Sequence, residues 1–262
     1  DEIESTQFRS HIRHFIELNN DTSLVTTLYG NTFHRNWQKL NKVGATTSSL
    51  KSLSNAMLTN AYADDTYGIM TGTAAGSLEF KNNNRGYYMW GIQSTLAHRY
   101  KADGIQHNFE LGLRVHYDQI RRKQHKEIFT QDANGNITAV DDQVRGSESN
   151  RLQKTVATTV NASDKMEWGK FTFTPGLRIE TMYQRYCDDN SNCSGPTMEQ
   201  EGTYSVMVGG GSLKYDFYDA DGEDLDFFGG IHRGFSPADP RSRLKSGIKE
   251  EYSLGFELGT RY

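Results

Sequence analysis

The sequence predicts an all-β protein, an antiparallel transmembrane β-barrel of about nine long strands, and three observations carry that prediction. Apolar and polar residues alternate over long stretches of the 262-residue chain. The connections between those stretches alternate in length, short then long. The stretches also outlast ordinary globular strands, whose usual length is about 5–6 residues. Side chains on a strand point to opposite faces in turn, so such segments have one apolar wall and one charged wall.

The elements follow in order. Near the start, Phe8, Ile12, Ile16 and Leu18 oppose Arg9, His11, Arg13 and Glu17. A polar turn at Asn19-Asn20-Asp21-Thr22 leads to a less regular strand over 22–39. The long connection 40–86 holds Leu50, Leu53 and Met57 at helical spacing after Ser48 and Ser49, which predicts a short helix packed at the barrel mouth. In 88–98, Tyr88, Trp90, Ile92 and Leu96 oppose Gln93, Thr95 and Arg99. A turn at Lys101-Ala102-Asp103-Gly104 precedes the cleanest alternation, where Phe109, Leu111, Leu113, Val115 and Tyr117 oppose Glu110, Arg114, His116 and Asp118. No turn signal interrupts Ile105 to Phe129, which is far more than the roughly 9–11 residues that cross hydrocarbon.

After a long connection at 130–150, strands are expected over 151–162 and 171–186, joined by a turn at Ser163-Asp164-Lys165-Met166. In the second, Phe171, Phe173, Leu177 and Ile179 oppose Thr172, Thr174, Arg178 and Glu180. A long loop at 187–203 follows, then strands over 204–218 and 225–235 around a polar turn at Asp219–Gly222. Glycine runs such as Gly209–Gly211 are read as bulges. A last long connection, 236–250, precedes a closing strand with Tyr252, Leu254, Phe256, Leu258 and Tyr262 on one parity. Glu251, Ser253, Glu257 and Arg261 occupy the other.

Short turns on one side and long loops on the other are the rhythm of outer-membrane barrels, with the turns periplasmic and the loops extracellular. Tyr87, Tyr88 and Trp90, and again Trp168 and Phe171, stand where interfacial girdles belong. Nine strands is an odd number, whereas single-chain bacterial barrels are even. Free strand edges in lipid are prohibitive. The chain is therefore expected to be an internal slice of a larger barrel, or to hold one further strand.

Composition narrows the function. A net charge of −4 gives no nucleic-acid footprint. No apolar run reaches the length of a spanning helix. Cys187 and Cys193 bracket a polar loop, which favours a loop-closing disulfide in an oxidising compartment.

Five collinear strings resemble the middle of the barrel of TonB-dependent outer-membrane receptors, in particular the ferric-citrate receptor group. They are Asn84–Gln93, His107–Tyr117, Gly169–Glu180, Gly229–Pro237 and Phe256–Tyr262. The resemblance implies a 22-stranded barrel filled by an amino-terminal plug, and energised uptake of a ferric chelate driven through the TonB complex. Residues 1–262 would then be a partial barrel domain in contact with outer-membrane lipid and lipopolysaccharide. No plug sequence and no TonB box are found in it.

No catalytic arrangement stands out, so the chain is not expected to be an enzyme, and no cofactor or metal is expected. Glu110, His116 and Asp118 share a face, but same-face neighbours on one strand are about 6.6 Å apart. They read as a wall of paired, solvated charges. Asp219–Asp224 lacks the spacing and terminal glutamate of a calcium loop. For ligand binding, Arg85, Arg145 and Arg151 fall at the extracellular rim, where arginine suits carboxylate-rich chelates through bidentate hydrogen bonds. Two other functions fit the pattern. A passive channel or adhesin barrel would lack a plug, and a soluble β-rich binding domain would bury its apolar parity and need no detergent.

Overall fold

The structure, a computed structural model, describes residues 2–58, 65–188, 199–220 and 223–262. Twelve strands form one antiparallel sheet. They are β1 (Glu2–Asn19), β2 (Thr22–Gly44), β3 (Lys51–Ser52), β4 (Gly76–Asn82), β5 (Arg85–Ala102), β6 (Ile105–Gln131), β7 (Ile137–Asp142), β8 (Ser149–Trp168), β9 (Phe171–Asp188), β10 (Glu199–Ala220), β11 (Glu223–Ser236) and β12 (Glu251–Arg261). Short helices α1 (Leu53–Leu58), α2 (Thr66–Thr71) and α3 (Pro240–Ser246) lie in the long connections. No helix among the described residues is long and apolar enough to cross a membrane.

The twelve strands reduce to nine staves. β4 and β5 both sit between β2 and β6, at their upper and lower ends, and make one stave interrupted at Asn83-Asn84. β3 and β7 are short additions to the upper ends of β2 and β6. The order is then sequential from β1 to β12, the two end strands each having a single neighbour. The sheet is an open arc of barrel wall.

Register places the apolar parity on one continuous face. Ile12, Leu28, Ile92 and Val115 lie side by side across β1, β2, β5 and β6. One row down, Leu113, Val160, Ile179 and Met207 line up across β6, β8, β9 and β10. These side chains are uncovered. Leu113 is 53% exposed, Phe256 72% and Leu258 91%. A soluble sheet would place a second layer over such a face, and none packs there among the described residues. The opposite face carries Arg13, Gln93, Arg114 and Glu180, as alternation requires. The apolar parity therefore faces lipid and the charged parity faces the lumen.

Two aromatic bands bound the lipid face. Trp90 stacks on Tyr117 at 5.6 Å at the upper edge. At the lower edge, Phe171, Tyr215 and Phe227 share a register row beside Trp168 and Phe217. Above the upper band the staves continue. β6 has 27 residues, about 90 Å at the usual strand rise, so it projects well beyond the roughly 30 Å hydrocarbon.

The short turns are tight. Asp103 (φ 50°) and Gly104 (φ 84°) form the two-residue loop between β5 and β6, the Asp-Gly pairing that left-handed hairpin turns favour. Two expectations need correction. Ser163–Met166 is no turn. β8 runs through it to Trp168, and the reversal falls at Gly169-Lys170. The polar run misleads because one of its members is held across strands, His107 Nδ1 lying 2.7 Å from Asp164 Oδ2, and another pairs along its own strand, Lys165 with Glu167. Gly209–Gly211 is no bulge either, since its ladder with β9 is unbroken. The glycines instead permit close approach, for a Cβ at Gly210 would lie 2.4 Å from the Ile231 carbonyl oxygen. The turn between β10 and β11 and Cys193, with the expected Cys187–Cys193 bridge, lie outside the described residues.

The helical expectation in the first long connection holds in part, since α1 starts at Leu53 and Leu50 lies before β3, outside the helix. Leu53 of α1 packs with Leu40 and Leu78 against a small core of Val43, Ile69 and Ala74. This core sits at the upper ends of β2 and β4, on the parity that faces lipid lower down.

Candidate ligand-binding wall

The upper lumen face carries a row of arginines brought together by the strand register. Arg35 on β2 pairs with Arg85 on β5, Arg85 with Arg122 on β6, and Arg122 with Arg151 on β8. Arg151 in turn faces Asp188 at the end of β9. Adjacent strands are about 4.8 Å apart, so four guanidinium groups stand abreast. Like charges directly opposite one another destabilise a sheet. Among the described residues only Arg151 has a carboxylate within ion-pair reach, Asp188 at 3.4 Å. Arg35, Arg85 and Arg122 make no such pair. The row is therefore a concentrated, largely uncompensated positive field on a concave wall, which is what attracts and orients an anion.

Polar groups flank the row. Immediately below lie Tyr87, Gln153 and Tyr186, and above lie Gln124 and Ser149, all on the lumen parity. Arg85 Nη1 reaches the Tyr87 hydroxyl at 3.5 Å. Gln124 donates from Nε2 to Asn83 Oδ1.

The last long connection folds onto this face and adds cations to it. Gln153 Nε2 donates to Asp239 Oδ1 at 2.8 Å, and Gln184 Nε2 to the Ala238 carbonyl at 3.0 Å. Asp239 caps α3, accepting from the backbone N–H groups of Arg241 and Ser242, with Pro240 in the first turn. Arg243 stacks 3.5 Å over the Tyr204 ring and pairs with Glu250 at 2.8 Å. So anchored, α3 brings Arg241 within electrostatic reach of Arg122 and Lys245 to 3.6 Å from Asp188.

Burial pushes the Asp239 carboxyl up, but hydrogen bonds from Ser242, Gln153 and the Arg241 N–H outweigh it and hold the group below its ordinary value. A depressed carboxylate stabilises above its unfolded value, and that contribution is lost as pH falls through the folded one. Docking of α3 is thus complete at neutral pH and weakens below the ordinary aspartate range near about 4. Asp239→Ala should cost about 1 kcal/mol of local stability. The check is faster amide hydrogen exchange over 240–247 at pH 7, and unchanged exchange there would contradict the anchoring role.

Lower on the same face the expected pairing is partial, because Arg178 pairs with Glu180 and His116 lies beside Asp118, while Arg114 and Glu110 have no ion pair among the described residues. The Tyr29 hydroxyl meets His116 Nδ1 at 2.8 Å and accepts from Arg114 Nε at 3.0 Å. Glu180 accepts from Thr159 at 3.2 Å and pairs with Arg178. His116 Nε2 lies 4.0 Å from Asp118, while Glu110 is at the periplasmic end, lining a cavity of about 400 Å³ with Phe15 and His98. The three do not converge on one point. Rings fold over lumen-side glycines here, Tyr29 over Gly91, His232 over Gly255 and Phe228 over Gly259, the cross-strand ring-over-glycine arrangement that keeps small residues in a sheet.

Of the three arginines chosen from sequence, Arg85 and Arg151 stand in the row, and Arg145 does not. It lies exposed in the connection between β7 and β8. Arg35, Arg122 and Arg241 were missed. Arg122 was within reach of sequence reasoning, because Arg85 and Arg122 are equidistant from the Asp103-Gly104 turn, and a two-residue hairpin fixes register.

A family model described as "TonB dependent receptor-like, beta-barrel" matches residues 5–262. The chain belongs to the TonB-dependent receptor β-barrel family. Its place is the outer membrane of Gram-negative bacteria, and its family and fold are those of receptors and transporters rather than enzymes.

Solved structures of this type share the fold. The ferric citrate transporter FecA in its unliganded form is 14% identical with a TM-score of 0.65, the match covering 99% of this chain and 32% of FecA. The ferric-catecholate import receptor Fiu of E. coli K12, closed form, is 13% identical at a TM-score of 0.69, with 98% and 38% covered. The siderophore receptor PiuA of Acinetobacter baumannii is 11% identical at 0.66, with 98% and 37% covered. The chain thus spans about a third of the length of these proteins. A search of curated proteins gives no match to the sequence.

Proposed function

We propose that the chain is part of the wall of an outer-membrane receptor that takes up an anionic ferric chelate by TonB-dependent transport, and that the row Arg35–Arg85–Arg122–Arg151 contacts that chelate. In this reading the chain supplies nine staves of a 22-stranded barrel. The plug and its contact with the TonB complex belong to other parts of the intact protein. The lipid parity meets acyl chains, and lipopolysaccharide surrounds the staves above the upper aromatic band.

The observation that carries the reading is the arginine row, three of whose four members have no ion pair among the described residues. A wall that only needed to fold would not set three adjacent arginines against one another without counter-charge, because that arrangement works against the sheet. Guanidinium groups bind carboxylate and catecholate oxygens as planar forks, and ferric complexes of such ligands carry net negative charge. The names of the structural relatives, a ferric citrate transporter and a ferric-catecholate import receptor, agree with this class.

Equilibrium binding of ferric chelates of graded charge to the intact protein tests the proposal. Anionic chelates are expected to bind at least about tenfold more tightly than neutral ones, a gap of about 1.4 kcal/mol. The gap should narrow as salt screens the arginines. Equal affinity for neutral and anionic chelates at low salt would overturn it.

A further inference from the structure

We propose that His125, Glu127 and Asp142 form a binding site for a divalent transition-metal ion on the outer wall above the membrane, one that clasps β7 to β6. The three lie on one face by construction. His125 and Glu127 are two residues apart on β6, and Asp142 is the direct cross-strand partner of Glu127. One ligand atom from each lies within 4.8 Å of the other two. Ligands around a tetrahedral zinc ion stand about 3.3 to 3.6 Å apart, given bonds of about 2.0–2.2 Å. Asp142, 64% exposed, has room to swing toward the other two, and binding would draw the free Glu127 oxygen closer to His125.

Three features separate this cluster from an ordinary surface ion pair. First, His125 is only 5% exposed, yet its imidazole makes no hydrogen bond among the described residues. Nδ1 is buried without a partner, and Nε2 stands 3.6 Å from Asp142 Oδ1, an ion-pair distance rather than a hydrogen bond. A buried imidazole left so is costly unless something else satisfies it.

Second, neither carboxylate has a lysine or arginine partner among the described residues. Lys126, between His125 and Glu127 in sequence, points to the other face and binds Glu148 at 2.6 Å. Third, Glu127 is held in place, its Oε2 accepting from Gln38 Nε2. An outer hydrogen bond of this kind orients a metal ligand and leaves its second oxygen for the ion. One imidazole and two carboxylates suit zinc, manganese or ferrous iron better than calcium or magnesium, which prefer oxygen donors alone.

The site also has a structural use. β7 is exposed along its whole length and pairs only with the end of β6. It is an edge strand on the sheet formed by β2, β4 and β6, held among the described residues by one ladder alone. An ion bridging Asp142 to His125 and Glu127 would fix its far end and set the extracellular connection above the arginine row.

The test is zinc titration of the full-length receptor in detergent, stripped with a chelator and read by competition with a chromophoric zinc indicator. Wild type is expected to bind one equivalent more than Asp142→Asn or His125→Ala, or to bind it at least about tenfold more tightly. The same titration with cobalt(II) should show the visible absorption of a nitrogen- and oxygen-ligated ion in wild type only. Asp142 is exposed, so its substitution leaves folding intact. If the buried His125 variant fails to assemble, Asp142→Asn alone decides. Unchanged stoichiometry and affinity in Asp142→Asn would overturn the proposal.

Discussion

Leu113→Arg in the intact receptor should abolish outer-membrane assembly, or reduce it to a small fraction of wild type. Leu113 lies between the two aromatic bands on β6, flanked by Ser94 and Val160 and continued by Ile179 and Met207. Its side chain is uncovered in the sheet, so the substituted guanidinium would sit in hydrocarbon. Arginine at the bilayer midplane of a barrel costs about 2–4 kcal/mol, a large share of the 5–15 kcal/mol that holds a typical domain folded. Thr95→Arg is the matched control. Thr95 is at nearly the same depth but on the lumen parity, beside Gly112, where water solvates the charge. Heat-modifiable mobility of outer-membrane fractions reports assembly. Equal assembly of the two variants would contradict the assignment of faces.

Arg122→Glu has the second large effect, on binding rather than folding. Arg122 stands between Arg85 and Arg151, with Arg241 nearby. Replacing it with a carboxylate relieves two like-charge contacts and creates two attractive ones, so the barrel should assemble as well as wild type or slightly better. The anion-binding wall is broken at its centre. Affinity for an anionic ferric chelate should fall about 100-fold or more, in line with the 2–5 kcal/mol lost when one partner of a desolvated charge pair is removed. The measurement is equilibrium binding on assembled receptor. Intact affinity would remove the arginine row from the binding site, and loss of assembly would show that the row is structural.

What was legible from sequence depended on how local the cause was. The faces of β12 follow from strand alternation alone, and Tyr252, Leu254, Phe256 and Leu258 stand as read. The turn at Asp103-Gly104 is written in two residues. The Gly169-Lys170 turn was obscured because Ser163-Asp164-Lys165 is more turn-like by composition, and His107, whose ring meets the Asp164 carboxylate, is far away in sequence. Gly209–Gly211 was misread because glycine marks both bulges and close approach, and only the neighbouring backbone decides between them.

The arginine row shows the same limit. Arg122 opposite Arg85 follows from hairpin geometry. Arg35 does not, because the register of β2 against β5 passes through a long connection with two helices and a register shift between Leu40 and Lys42. Arg241 joins the row only because Asp239 and Gln153 dock its loop. The His125–Asp142 juxtaposition likewise depends on β7 folding back onto β6, which alternation does not announce.

The most direct test of the lipid-facing sheet is a nitroxide scan from Glu110 to Tyr117 in the reconstituted receptor. Collision with oxygen, which partitions into lipid, is compared with collision with a water-soluble nickel chelate. Labels at Leu111, Leu113, Val115 and Tyr117 should favour oxygen, and labels at Glu110, Gly112, Arg114 and His116 should favour the aqueous reagent or be shielded from both. A strict two-residue period with that phase is the predicted result. Absence of the period, or the opposite phase, would contradict the membrane-spanning wall.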